Sequence, residues 1–180
     1  MESAEQTQIL KIPKKRVAIL IGSSGETKKE IQEKTNTEIN VDKEGAVEIT
    51  GESFDAWITK KIVKAIGRGF SPKKALLILN EGYISELIEL NNWVKTDKSM
   101  QRLKGRVIGK EGKSKRTIEE ITQTYISVYG KTICIIGETK KVLLAKRAVE
   151  MLLSGCQHST VFKMVERERK NWEKEKILGR

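Results

Sequence analysis

The stretch Arg106-Val107-Ile108-Gly109-Lys110-Glu111-Gly112-Lys113-Ser114-Lys115-Arg116 joins an apolar run to two glycines three residues apart, with basic side chains on both sides. The same plan stands earlier, at Leu20-Ile21-Gly22-Ser23-Ser24-Gly25-Glu26-Thr27-Lys28-Lys29. Two glycines that bracket two residues between short helices allow a turn that side chains would block. With no Cβ at its ends, such a loop can press its backbone against another backbone. The helix that follows offers unpaired N–H groups and the positive end of its dipole. The surrounding lysines add charge attraction. An extended sugar–phosphate chain suits this surface.

The two stretches belong to a longer repeat. Moving Gly22 onto Gly109, a shift of 87, aligns Ile21–Val41 with Ile108–Val128, and ten of the 21 positions are identical: Ile21, Gly22, Gly25, Lys28, Ile31, Glu33, Thr35, Thr37, Ile39 and Val41. A repeat of this length is too large for a solenoid unit and fits two copies of a small domain.

Hydrophobic periodicity gives each copy the same element order. In the first, Gln8–Ile12 reads as a strand. Pro13 and Lys14–Ile21 make a basic-then-apolar helix, Gly22–Gly25 a loop, and Glu26–Lys34 a second helix. Thr37–Val41 and Ala46–Thr50 form a hairpin around Asp42–Gly45, with Gly51 closing it. A helix capped by Ser53 or Asp55 follows, with Trp57, Ile58, Ile62, Val63 and Ile66 as its apolar stripe. Ser71-Pro72 opens a connecting helix that ends at Asn80-Glu-Gly82. The second copy then runs as strand 83–90, helix 98–108, loop 109–112, helix 113–122, strands 125–128 and 132–136, and helix 139–153. Val142, Leu143, Val149 and Leu152 are the inward positions of its last helix. A charged helix from His158 to about Ile177 follows, anchored by Val161, Phe162, Val165 and Trp172. The fold class is α+β: strand–helix–helix–strand–strand–helix at 8–68, a helical linker at 69–82, the same order at 83–153, and a C-terminal helix within 154–180.

The charge balance narrows the function. The chain holds 35 Lys and Arg against 24 Asp and Glu, a formal charge of +11. Lys/Glu enrichment alone occurs in proteins of hot environments, but it does not produce a net excess. The excess points to a polyanion, nucleic acid ahead of an anionic membrane. Residues 98–116 concentrate it, with eight basic side chains against the single acid Glu111. Aromatic residues are only 5% of the chain, so base-stacking platforms are not prominent.

Catalytic and metal chemistry find little support. Cys134 sits in an apolar strand and reads as core; Cys156 and His158 are one Cys-x-His pair, short of the four ligands of a structural zinc site. His158, the only histidine, has no persuasive nucleophile or acid around it and reads as a helix-start or surface residue. No catalytic residue, metal site or cofactor is expected. The N-terminus is polar and no apolar run has transmembrane length, so the expectation is a cytoplasmic protein. Gly112-Lys113-Ser114 matches the end of a Walker A motif, but the first glycine of that motif would fall at Val107 and a basic helix replaces the strand it needs.

Ile-Gly-x-x-Gly between two helices, followed by a strand hairpin and a helix, resembles the KH domain, whose loop clamps the nucleic-acid backbone. The order of elements in both copies resembles the type I arrangement. Several segments are also similar to the archaeal and eukaryotic KH family of small-subunit ribosome assembly: Gly67-Arg-Gly-Phe-Ser-Pro-Lys-Lys-Ala, Leu103–Lys113, Ile126-Ser-Val-Tyr-Gly-Lys-Thr and His158-Ser-Thr-Val-Phe.

The resemblance implies non-catalytic binding of single-stranded RNA, near the 3′ region of small-subunit ribosomal RNA. It also implies as partners a Nob-one-type endonuclease and translation initiation factor two, alpha subunit. In the second copy it assigns Gly109, Lys110, Glu111 and Gly112 to the phosphate clamp, with Lys110 toward phosphate and Glu111 toward solvent. Arg106, Lys113, Lys115 and Arg116 become backbone contacts, and Val107, Ile108, Ile126 and Val128 the apolar groove for bases. In the first copy it assigns Gly22, Ser23, Ser24 and Gly25 to the loop and Lys28 and Lys29 to the flanking charge. The neutral serine pair leaves that copy either a weaker RNA binder or a protein-contact module. The alternative for the whole chain is an adaptor between proteins, with the first copy and the last helix as docking surfaces.

Overall fold

The structure is a computed structural model that describes residues 5–178. It divides into two compact units that part between Tyr83 and Ile84.

In the first unit β1 (Glu5–Lys11) leads through Pro13 into α1 (Lys14–Ile21). A one-turn 3₁₀ segment, Ser23–Gly25, joins α1 to α2 (Glu26–Thr35). β2 (Glu38–Val41), β3 (Ala46–Glu52) and α3 (Ser53–Gly67) complete the unit's repeat. The sheet is antiparallel in the order β1-β3-β2, with Leu10 opposite Val47 and Val41 also opposite Val47. The helices cover one face of it. Leu20, Ile31, Ile39, Val47, Ile49, Ile62, Val63 and Ile66 are fully buried. The connecting segment, α4 (Pro72–Ala75) and a 3₁₀ turn Leu76–Leu79, packs back on α3. Phe70, Ala75 and Ile78 are buried there, so this linker is part of a packed body.

The second unit repeats the plan with β4 (Tyr83–Glu89), α5 (Asp97–Ile108), α6 (Lys113–Thr122), β5 (Tyr125–Tyr129), β6 (Thr132–Glu138) and α7 (Thr139–Leu153). Its sheet order is β4-β6-β5, with Val128 opposite Ile133. Thr96 caps α5 by accepting from the Ser99 amide at 3.2 Å. α8 (His158–Ile177) lies against α6 and α7. Its Val161, Met164 and Val165 enter the same core as Val107, Ile118, Ile133 and Val149, and Phe162 and Trp172 pack at the edge. The unit therefore continues past residue 153 into its last helix.

Several sequence expectations need correction. Trp57 does not join the buried stripe of α3: it is 46% exposed, beside Phe54 at 70%. Leu143, at 52%, is likewise turned outward on α7. Both sit beside a buried neighbour, Ala56 and Val142, and one helical step moves a side chain off the core face. α3 follows Glu52 as its cap residue, without a side-chain cap bond from it, and Ser53 is already the first helical residue. β3 and β6 run past Gly51 and Gly137 to Glu52 and Glu138.

Candidate nucleic-acid interface

The two loops share one backbone. Gly22 has φ 78° and ψ 178°, and Gly109 has 74° and 176°. Ser24 (53°, 22°) matches Glu111 (53°, 27°), and Gly25 (84°, 6°) matches Gly112 (77°, 10°). The amides of Gly22 and Gly109 close the preceding helices by donating to Ala18 O at 2.9 Å and Gly105 O at 2.8 Å.

The two glycines of each loop do different work. A Cβ on Gly109 would lie 2.7 Å from Ser114 Cβ and 2.8 Å from its amide nitrogen, so this glycine lets the loop close on the next helix. A Cβ on Gly112 would meet nothing within 4 Å, and its side of the loop is open. Its positive φ is what glycine supplies there. The same division holds for Gly22, packed against Thr27, and Gly25, open. The outward face of each loop is backbone at a helix start, where the first N–H groups have no intrahelical acceptor and the dipole is positive.

The charged residues named from sequence part into two groups. Lys110 and Lys113 are exposed and form no ion pair among the described residues. Arg116 reaches back so that its Nη2 donates to the Glu111 carbonyl at 3.0 Å, which braces the loop while leaving the guanidinium at the surface. Glu111 is exposed, as expected. Arg106 is a correction. Its Nε donates to Leu152 O at 2.8 Å and its Nη2 to Cys156 O at 2.6 Å, satisfying carbonyls at the end of α7. It holds the domain together, with Nε and Nη2 both committed to backbone carbonyls. His158, at the start of α8, donates through Nε2 to the Arg106 carbonyl at 2.8 Å, which ties a third segment to the same point. Lys115 is a second correction: its Nζ pairs with Glu119 Oε2 at 3.0 Å, while Glu119 Oε1 accepts the Ile126 amide at 2.7 Å. That lysine belongs to a brace between α6 and β5.

The apolar set divides as well. Val107 (0% exposed) and Ile126 (3%) lie in the core cluster and offer no surface to a base. Ile108 and Val128 are half-buried and remain as candidate groove floor, as do Ile21 and Val41 in the first unit. Val107 and Ile108 are successive helical positions, so only one of them meets the core, whereas Ile126 and Val128 share one strand face and Val128 packs, half-buried, at the edge of the same core.

The first unit keeps the scaffold and changes the charges. Arg16 is the counterpart of the Arg106 brace, with Nε donating to Ile66 O at 2.8 Å and Nη2 to Phe70 O. Gln32 replaces Glu119 and still accepts the next strand's amide, that of Ile39, at 2.9 Å. Lys28, the counterpart of Lys115, then has no carboxylate to meet and forms no ion pair among the described residues. Lys29 stands 3.8 Å from Glu33 at the surface. Buried hydroxyls fix the turn after each second helix: Thr35 donates to Ile31 O and meets Thr37 at 2.8 Å, and Thr122 does the same with Ile118 O and Thr124. Sequence reasoning passed over these braces, although the Thr-x-Thr pairs were visible as identities in the repeat.

Among the described residues no group of three or more His, Cys, Asp or Glu is placed to hold a metal ion, and no helix is long and apolar enough to cross a membrane. Cys134 is buried.

Comparison with known proteins agrees with this geometry. Residues 84–170 match a model described as a eukaryotic type KH-domain, type I, and residues 7–67 match the KH domain. A KH domain-containing protein of Methanocaldococcus jannaschii is 47% identical over 167 residues, covering 90% of this chain and 74% of its own. The RNA-binding protein pno1 of Dictyostelium discoideum is 31% identical over 173 residues, covering 90% and 72%. The crystal structure of Dim2p from Pyrococcus horikoshii superposes with a TM-score of 0.84 at 42% identity, covering 90% of this chain and 99% of that one. A chain in the complex of a/eIF2alpha, aDim2p and rRNA from the same organism gives 0.87 at 42%, covering 94% and 97%. With both copies matched and relatives alike over nearly its whole length, the chain belongs to the tandem KH-domain family that includes the RNA-binding pno1 and the archaeal Dim2p proteins.

Proposed function

We propose that this chain is a non-catalytic, cytoplasmic protein that binds single-stranded RNA through the face built by α5, the Gly109–Gly112 loop, α6 and β5. Gly112 and the amides at the start of α6 take the phosphate backbone, with Lys110, Lys113 and Arg116 supplying charge. Ile108 and Val128 form the apolar floor for bases. In the first unit Gly22, Ser23, Ser24 and Gly25, with Lys28 and Lys29, make a second contact. The target we propose is the 3′ region of small-subunit ribosomal RNA during ribosome assembly. The single observation that carries the reading is the open loop, a positive-φ glycine at a helix start with unpaired lysines on either side. The related complex of a/eIF2alpha, aDim2p and rRNA supports the RNA class.

A partner protein is part of the same proposal. Phe54 and Trp57 stand exposed on α3 with ring centroids 6.0 Å apart, and Lys61 Nζ lies 3.6 Å from the Trp57 ring centroid. Such a patch favours the second reading, in which the first unit docks a translation initiation factor alpha subunit or a Nob-one-type endonuclease. Fluorescence anisotropy with a labelled single-stranded RNA carrying the 3′-terminal rRNA sequence tests the main reading. Lys110→Asp combined with Glu111→Asp should lose binding while circular dichroism stays unchanged. Unaltered affinity would sink it.

A further inference from the structure

In the first unit the end of β1 and the last turns of α3 enclose a cleft of about 110 Å³ lined by four cationic side chains, Lys11, Lys60, Lys64 and Arg68, and by no acidic one. Lys60, Lys64 and Arg68 stand four residues apart and share one side of α3 down to its C-cap. Gly67 closes the floor. A Cβ there would lie 2.6 Å from Ile12 Cγ2, so glycine lets the helix end press on the strand end. Lys11 and Lys64 are exposed and form no ion pair among the described residues, and Lys60 donates to the neutral Gln8. A helix C-terminus favours nearby cations, but like charges four residues apart on a helix oppose each other.

The second unit shows that the fold does not require this cluster. The amides of Ile12 and Leu90 donate to Gly45 O and Lys131 O, which fixes the register of the two first strands and sets Lys11 against Glu89. A shift of 86, that of Gly51 onto Gly137, sets Lys60, Lys64 and Arg68 against Lys146, Glu150 and Ser154. Lys146 bonds Glu86 at 2.6 Å and feels the charge of Glu150. The same place is thus cationic in one unit and mostly acidic in the other. We propose that the cleft of Lys11, Lys60, Lys64 and Arg68 is a second RNA phosphate site, separate from the glycine-loop clamp. It lies on the β1 edge of the sheet, away from β2, and the eight residues of α1, about 12 Å, separate it from Gly22. A closed pocket of this size takes a compact oxyanion, and Arg68 brings the forked donors that suit phosphate. The inference rests on the RNA-binding reading above and adds a contact that the clamp cannot reach.

The test is anisotropy on the full chain with the same labelled RNA, extended by a single-stranded oligouridine tail. Three variants are compared: Lys11→Glu with Lys64→Glu, which copies the acids of the second unit; Lys11→Gln with Lys64→Gln; and the Lys110→Asp/Glu111→Asp clamp pair. The Glu pair should weaken binding about tenfold and the Gln pair about threefold, with thermal midpoints near the wild-type value. The slope of log affinity against log salt should flatten by about 1.4 in the Gln pair, the value for two phosphates on a single strand. Combined with the clamp pair, the Glu pair should multiply the loss, as independent sites do. A combined loss no larger than that of the clamp pair would put these cations in the clamp's own field and overturn the inference. A lower midpoint in the Gln pair would make them structural and also overturn it. Wild-type affinity in the Glu pair, with binding lost in the clamp pair, would overturn it, leave the clamp reading intact and give the cleft to an acidic protein segment. Wild-type affinity in all variants would remove both readings.

Discussion

The two units share a backbone and differ in where they leave charge. Their loop dihedrals agree within a few degrees from Gly22 to Gly25 and from Gly109 to Gly112. Each has an arginine on the helix before the loop that ties down the end of the unit's third helix, Arg16 in one and Arg106 in the other. These arginines are not at repeat-equivalent positions; they stand one turn apart on the same helix. The second unit places lysines in and just after its loop and neutralises Lys115 with Glu119. The first has serines in the loop, yet frees Lys28 because position 32 is Gln. Loop residues alone therefore understate the first unit. A single carboxylate-to-amide difference, two helical turns from the loop glycine, decides whether the lysine between them is held in an ion pair.

Disrupting each loop is the strongest way to break this comparison. Lys110→Asp with Glu111→Asp should cost about 100-fold in RNA affinity, and Ser23→Asp with Ser24→Asp about tenfold, since close like charges cost several kcal/mol at a complementary surface. Equal losses in anisotropy titrations would erase the difference between the units. Next in size is the brace. Arg106→Ala should destabilise the second unit by about 2 kcal/mol, because two carbonyls lose a charged donor, although Leu152 O keeps the Gly155 amide. Guanidinium denaturation of the full chain should show this as a lower midpoint for one of two transitions, with RNA affinity below that midpoint little changed. A large loss of binding in the folded variant would return Arg106 to the interface.

The position-32 difference predicts a smaller, reciprocal effect. Gln32→Glu should capture Lys28, weaken binding about threefold and flatten the salt slope by about 0.7, the value for one phosphate on a single strand. Glu119→Gln should release Lys115 and do the opposite, while still accepting the Ile126 amide. Unchanged salt slopes in both would show that neither lysine meets phosphate.

The smallest effect concerns pH. The hydrogen bond to Glu86, with Nζ to Oε2 at 2.6 Å, raises the Lys146 pKa above its ordinary 10.5. A raised folded-state pKa contributes stability that is complete below 10.5 and is lost as pH rises through the folded value. Lys146→Met should therefore lose no more than about 1 kcal/mol near neutrality. It should also flatten the decline in thermal midpoint at strongly alkaline pH. The first unit has Lys60 at the matching place, where its Nζ donates to the neutral Gln8 amide oxygen at 2.8 Å.

Much of this was legible in the residues. Helix bounds at Lys14–Ile21, Lys113–Thr122 and Thr139–Leu153 follow from glycine, proline and periodicity. The repeat supplied the rest of the order. What escaped was direction at the level of single side chains. Val107 and Ile108 are adjacent and equally apolar, but only one can face the core. Trp57 looked buried because it is large and apolar, whereas its helix angle turns it outward. Arg106 and Lys115 counted as positive charge in sequence; their partners are backbone carbonyls and a carboxylate that fold proximity alone brings near.

The packing of α8 has a consequence for the timing of synthesis. The first unit closes its core with residues no later than Ile78, so it can fold while the rest of the chain is still being made. The second unit needs Val161, Met164 and Val165 from its last helix. Until those residues emerge from the exit tunnel, α6 and α7 present bare apolar surface. The half with the charged loop is therefore the later to mature, and a nascent chain passes through a stage in which only its milder half is folded.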